Sequence, residues 1–257
     1  ISSTARFAHG VLTKPCTKHI AYVNSPGRMW WEPQKYFSKV WQRKLFLPFQ
    51  KWLRVWDTVA MARVDYIIAN SKNVATKIES FYGKKADAVI YPFITSLTVP
   101  RVPRQSMKDS SEFFLVVTRL VRWKRVDIAI KVFKENPKLG NLVVVGRGPD
   151  RQYLKNLSLG AKNITFFSRL TDSELQGYYE SCRALIITQA EDFGITALEA
   201  MANGKPVIAY KSGGVLETVK DNSHGILFES QDAASLERVI GRFKVFAFDS
   251  GKLKDRA

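Results

Sequence analysis

The chain has 257 residues, 46% of them hydrophobic, which suffices for one large or two ordinary domains with filled cores. It carries 40 Lys and Arg against 23 Asp and Glu, a net charge of +17, and such a surplus points to nucleic acid, a lipid surface or a phosphorylated ligand. Cys16 and Cys182 lack CxxC or Cys/His spacing and no apolar run is long enough to cross a bilayer, which argues against a disulfide framework, a structural zinc site or a membrane span.

The first expected strand is HIAYVN (19–24). It is followed by MWWEPQKYFSKVWQRKLFLPFQKWLRVW, which holds five of the six tryptophans and much of the positive charge. Residues 1–105 contain 17 basic and 5 acidic side chains. Indoles interleaved with cations suit a lipid headgroup layer, so an anionic membrane surface is an expected partner. Trp41, Leu45, Trp52 and Trp56 also stand at helical spacing, which equally fits an inward core face with solvated cations.

Next come a strand at YIIANS (66–71), a helix at 72–82 and a strand at AVIYP (88–92). Three strands are few for a Rossmann-type sheet, so this is read as the C-terminal part of such a domain, residues 1–99. Prolines and polar residues from 92 to 111 break the periodicity, and a linker is expected at 100–111.

From 112 to 257 the pattern alternates. Strands are expected at FFLVVT (113–118), NLVVVG (141–146), ITFFS, ALIIT, PVIAY and GILF. Helices are expected between them at 126–136, about 150–158, 172–181, from about 195, and at 214–220. Such alternation means a doubly wound parallel sheet with right-handed crossovers.

In such sheets ligands bind beyond the carboxyl ends of the strands. The stretch AEDFGITALEAMANGKPVIA lies there, with Glu191 in a loop, Gly194 at a helix start and Glu199 about one turn in. Amides from Phe193 to Ala197 then face a ligand, and two acids so placed suit polyol hydroxyls. Arg119 and Lys124, after the strand FFLVVT, suit a diphosphate. SGG (212–214) is another candidate for close backbone approach to a ligand, and the other features have structural readings too: a carboxylate favouring a helix dipole, a solvated basic loop, and a tight turn at GRGPD.

Taken together, EDFGITALEAMANGKPVIAYKSGGVLETV, TRLVRWKRVDIAI and ARVDYIIANSKNVATKIESFYGKKADAVIYP resemble the retaining glycosyltransferases of family 4, mannosyltransferase-like branch. The resemblance implies a GT-B fold and a nucleotide-diphosphate sugar donor, with GDP-mannose the expected one. It implies no cofactor, a metal-independent front-face displacement, and a glycan or lipid-linked acceptor. It assigns sugar hydroxyls to Glu191, ribose to Glu199, the diphosphate to Arg119 and Lys124, and close amides to Phe193, Gly194 and Ile195. In domain one the family has a His before Thr-Pro or Ser-Pro, whereas this chain reads YVNSPGR, so Asn24 takes the catalytic place. The family's full first half-domain and closing helix are expected to be absent or cut short.

The expected function is therefore retaining sugar transfer at the cytoplasmic face of the cell membrane. The alternative is a nucleotide-sugar-binding module or inactive fragment without turnover, motivated by Asn24. Nucleic acid is not expected as a partner, because the basic excess follows no known nucleic-acid motif.

Overall fold

The computed structural model describes residues 1–37, 40–94, 112–243 and 246–257. They form two compact units, Ile1–Pro92 and Phe93–Ala257. The linker expected at 100–111 lies outside the described residues.

The second unit is built on six parallel strands: β5 (Phe113–Val117), β6 (Asn141–Val145), β7 (Ile164–Phe167), β8 (Ala184–Ile187), β9 (Val207–Tyr210) and β10 (Gly225–Phe228). They are numbered after the four strands of the first unit, described below. Each is a short, β-branched or aromatic run, and successive side chains enter opposite cores. Phe114, Val116, Leu142, Val144, Ile186 and Ile208 pack on one side, while Phe113, Leu115, Val143, Val145, Leu185 and Val207 pack on the other. The first core is closed by α4 (Val126–Glu135), α5 (Arg151–Leu157) and α9 (Ala233–Phe243). The second is closed by α6 (Asp172–Ser181), α7 (Ile195–Ala202), α8 (Val215–Thr218) and α10 (Ser250–Arg256).

The strand order is β10-β9-β8-β5-β6-β7. From β5 the chain winds outward through β6 and β7, then returns to β8 on the other side of β5 and winds outward again. The direction reverses between β5 and β8, and a crevice opens at the carboxyl ends of a strand pair so arranged.

The first unit has four parallel strands in sequential order: β1 (Ser2–Thr4), β2 (Ile20–Val23), β3 (Tyr66–Ala69) and β4 (Ala88–Val89). The three expected strands are present, but AVIYP contributes only two residues of strand and Ser2–Thr4 adds a fourth. Its helices are α1 (Arg28–Trp31), α2 (Val40–Ala62) and α3 (Lys72–Tyr82). Ser71 caps α3 by accepting from the Val74 amide, and Gly83, in the left-handed region, ends it.

Helix α2 turns the inward-core alternative around. Trp41, Leu45 and Trp52 are 59%, 69% and 66% exposed, whereas Trp56 is half-buried against the Ala8–Gly10 turn and Gln50, Asp57, Ala60 and Met61 are buried. The polar side of this helix faces inward because it has partners there. The Gln50 amide and Arg54 guanidinium donate to the Trp30 carbonyl, at 2.8 and 2.7 Å. Asp57 accepts from His9 Nε2 (2.8 Å), Trp30 Nε1 (2.7 Å), Trp31 Nε1 (2.6 Å) and the Tyr82 hydroxyl (2.7 Å). Burial pushes the Asp57 carboxyl upward, but these four donors outweigh it and hold the group below the usual carboxylate range.

Candidate functional site

The chain leaves β5 and turns through Arg122–Lys124, a single 3-10 turn. Arg125 then takes a left-handed conformation (φ 51°), costly for a residue with a Cβ, and starts α4. The Thr188 hydroxyl, at the end of β8, donates to the Lys124 carbonyl at 2.7 Å and ties this turn to the neighbouring strand. Lys124 is thereby held over the β8–α7 loop, where its ammonium donates to Glu191 Oε1 at 2.6 Å. Both side chains are largely buried, 11% and 14% exposed. The Gln189 side-chain amide donates to the same carboxylate oxygen.

The loop that presents Glu191 is clamped from below. The Gly214 amide donates to the Glu191 carbonyl at 2.7 Å, and Glu191 forms an isolated parallel bridge with Gly213. A Cβ on Gly213 would stand 2.3 Å from the Glu191 carbonyl oxygen, and one on Gly214 would stand 2.1 Å from that of Asp192. The SGG stretch therefore serves close packing of two loops. Gly194, in the left-handed region (φ 96°), turns the chain into α7 without a side-chain cap. The Phe193 side chain packs in the core while Ile195 is half exposed. The Ala197 amide is already satisfied by the Gly194 carbonyl at 2.9 Å.

Glu199 has a different setting. The Tyr179 hydroxyl, on α6, donates to Glu199 Oε2 at 2.6 Å. Burial, and then the neighbouring carboxylate, push the Tyr179 phenol well above its usual range, so it remains a donor at all ordinary pH values. Glu199 and Tyr179 line a cavity of about 360 Å³ together with Gln176, Asn203, Lys254 and Ile94. Arg119 is exposed just beyond β5. Asn24 follows β2 in the first unit, its amide donating to Ser3 Oγ at 3.0 Å and its backbone N–H to the Thr4 carbonyl at 2.8 Å.

Of the expected side chains of the second unit, the structure brings Lys124 and Glu191 together, while Glu199 is engaged by Tyr179. Gln189 and Tyr179 were not singled out in the sequence. Gln189 stands two residues before Glu191, whereas nothing in the polar helix DSELQGYYES distinguishes Tyr179 from its neighbour. Among the described residues no cluster of three His, Cys, Asp or Glu side chains could hold a metal ion.

In a doubly wound sheet the ligand crevice lies at the switch point, and Lys124 and Glu191 meet there. Residues 101–244 match the family described as glycosyl transferases group 1. The chain belongs to that family. It is similar to a D-inositol 3-phosphate glycosyltransferase of Thermobifida fusca, 26% identical over 72% of this chain and 48% of that one. It is also similar to the alpha-1,3/1,6-mannosyltransferase ALG2 of Dictyostelium discoideum, 34% identical over 63% of this chain and 49% of that one. The chain spans about half the length of these curated relatives.

Among solved structures, the sucrose-phosphate synthase of Thermosynechococcus elongatus has a TM-score of 0.70 at 20% identity, over 92% of this chain and 68% of that one. Anabaena HepE, solved in complex with UDP, has a TM-score of 0.70 at 22% identity, over 93% and 66% of the two chains. The fold is GT-B, as the sequence motifs implied.

Proposed function

We propose that the protein transfers a sugar, with retention at the anomeric carbon, from a nucleoside diphosphate donor bound at the β5/β8 switch point. The observation that supports this most is the Lys124–Glu191 pair at the carboxyl ends of those two strands. Two acids near one helix start would repel a diphosphate. Lys124 offsets the charge of Glu191, and the Tyr179 hydroxyl engages Glu199.

When a donor binds, its diphosphate draws the Lys124 ammonium, with Arg119 and the amides at Phe193, Gly194 and Ile195 as further donors. Glu191, released from Lys124, accepts the sugar hydroxyls, and Glu199 accepts the ribose hydroxyls. In the transfer the bond from the anomeric carbon to the phosphate oxygen breaks and a bond to the acceptor oxygen forms on the same face. The acceptor's proton passes to the departing phosphate oxygen. Negative charge grows on that diphosphate, and Lys124 and Arg119 stabilise it more than the ground state. No metal or other cofactor takes part in this scheme. Asn24 serves as a hydrogen-bonding group that cannot change charge.

Mannose from GDP-mannose is the donor we assign, supported by the similarity to the ALG2 mannosyltransferase, with a glycan or lipid-linked acceptor at the cytoplasmic membrane face. Among the described residues no helix is long and apolar enough to cross a membrane. Isothermal calorimetry with GDP-mannose, UDP-glucose and the bare nucleotides, followed by an assay for released nucleotide, tests the reading. Binding without turnover would favour the binding-module alternative that Asn24 motivates. Tighter binding of UDP-glucose would reassign the donor.

A further inference from the structure

Helix α2 turns an apolar stripe to solvent and buries Gln50 and Asp57 beside Ala60 and Met61. At 3.6 residues per turn, Trp41, Leu45, Phe49, Trp52, Val55 and Val59 fall on one stripe, about 27 Å long, and each is more than half exposed. The opposite side presents Gln50, Arg54 and Asp57 to the interior, each engaged by the hydrogen bonds described above. The orientation is therefore held by inward polar bonds, and the helix cannot bury its apolar stripe by rolling without breaking them.

The stripe continues onto the turn Ala8–Gly10, which packs on Trp56. Phe7 stands 5.5 Å from the Trp56 ring centroid and is half exposed, and Leu12 is 79% exposed. Exposed cations lie alongside: Lys44 and Lys51 on α2, Arg6 and Lys14 beside the turn. The one acidic side chain of α2, Asp57, is fully buried, so the helix shows solvent no negative charge. A soluble surface rarely exposes so large an apolar area, and indoles flanked by cations match the chemistry of a bilayer interface.

We propose that this face of the first unit docks on an anionic phospholipid surface, the stripe entering the headgroup layer and the four cations meeting lipid phosphates. A membrane-carried acceptor is not assumed, and nucleotide binding in the second unit is a separate property, so either reading can fail alone.

The test uses the whole chain and vesicles of three parts phosphatidylcholine to one part phosphatidylglycerol, with pure phosphatidylcholine as control. Co-sedimentation should favour the anionic vesicles at low salt, and tryptophan emission should shift to the blue on binding. Lys44→Gln with Lys51→Gln should lower partitioning into the anionic vesicles about twenty-five-fold, roughly fivefold for each cation. Trp41→Ser with Trp52→Ser should lower it tenfold or more without changing the melting temperature or nucleotide affinity, since both side chains point away from the core. Absence of any preference for anionic vesicles would overturn the proposal. So would vesicle binding that the tryptophan substitutions leave unchanged, or self-association through α2, seen as a dimer that those substitutions dissolve, without lipid binding.

Discussion

At the scale of single residues, Lys124 has two tasks in the proposed reaction, neutralising Glu191 and binding diphosphate. A charge-assisted contact contributes about 1.5–3 kcal/mol, so Lys124→Ala should weaken nucleoside diphosphate binding about tenfold or more by calorimetry. The same change leaves Glu191 uncompensated, so Glu191→Gln added to Lys124→Ala should restore part of the affinity. Additive losses would show that the pair is not coupled. Tyr179→Phe should weaken nucleoside binding several-fold through Glu199, while the Tyr179 ring keeps its place in the core. Equal affinity in that variant would remove Tyr179 as a positioning residue for Glu199. Lys124 and Glu191 were legible in the sequence because each closely follows a strongly patterned strand. Their pairing was not, because it depends on the strand order that makes β5 and β8 neighbours.

At the scale of elements, the Asp57 hub ties the turn at Ala8–Gly10, α1, α2 and α3 together. Asp57→Ala would leave His9, Trp30, Trp31 and Tyr82 without their acceptor and should cost at least about 3 kcal/mol in denaturant unfolding. The Asp57 pKa is lower folded than unfolded, so its contribution is complete above pH ~4 and is lost as pH falls through the folded value. Asp57→Asn lacks that titration, and the gap in melting temperature between it and the parent should narrow in acid. A gap that does not change with pH would contradict the assignment. Gly213→Ala, forced into a left-handed conformation and against the Glu191 carbonyl, should cost about 1–3 kcal/mol and loosen nucleotide binding, measured by melting and calorimetry. Elements with a plain apolar period could be read ahead of the structure. Strand β1 could not, because Ser2–Thr4 has no apolar residue and its inward side chains bond His19 and His9. The spacing of α2 was legible but its facing was not, since a lipid-facing and an inward tryptophan face fitted the sequence equally and the partners of Gln50 and Asp57 lie far along the chain.

At the scale of the whole molecule, the two units divide the chemistry. The second holds the switch-point crevice and both carboxylates assigned to the donor, while the first holds most of the positive surplus and the apolar face of α2. Net charge pointed to an anionic partner without choosing among nucleic acid, lipid and phosphorylated ligand, because composition does not record where the cations stand. Their placement supports a separate proposal for each unit. Lys124 meets a carboxylate at a sheet edge, and Lys44 and Lys51 flank exposed tryptophan. The proposed reaction requires a nucleoside diphosphate at the β5/β8 edge. The most direct measurement is calorimetric titration of the whole chain with GDP and UDP, run in parallel on the parent and Lys124→Ala. Saturable binding with one site per chain, weakened at least about tenfold by the substitution, is the expected result. Binding with an unchanged dissociation constant, or no binding of either nucleotide by the parent, would contradict it.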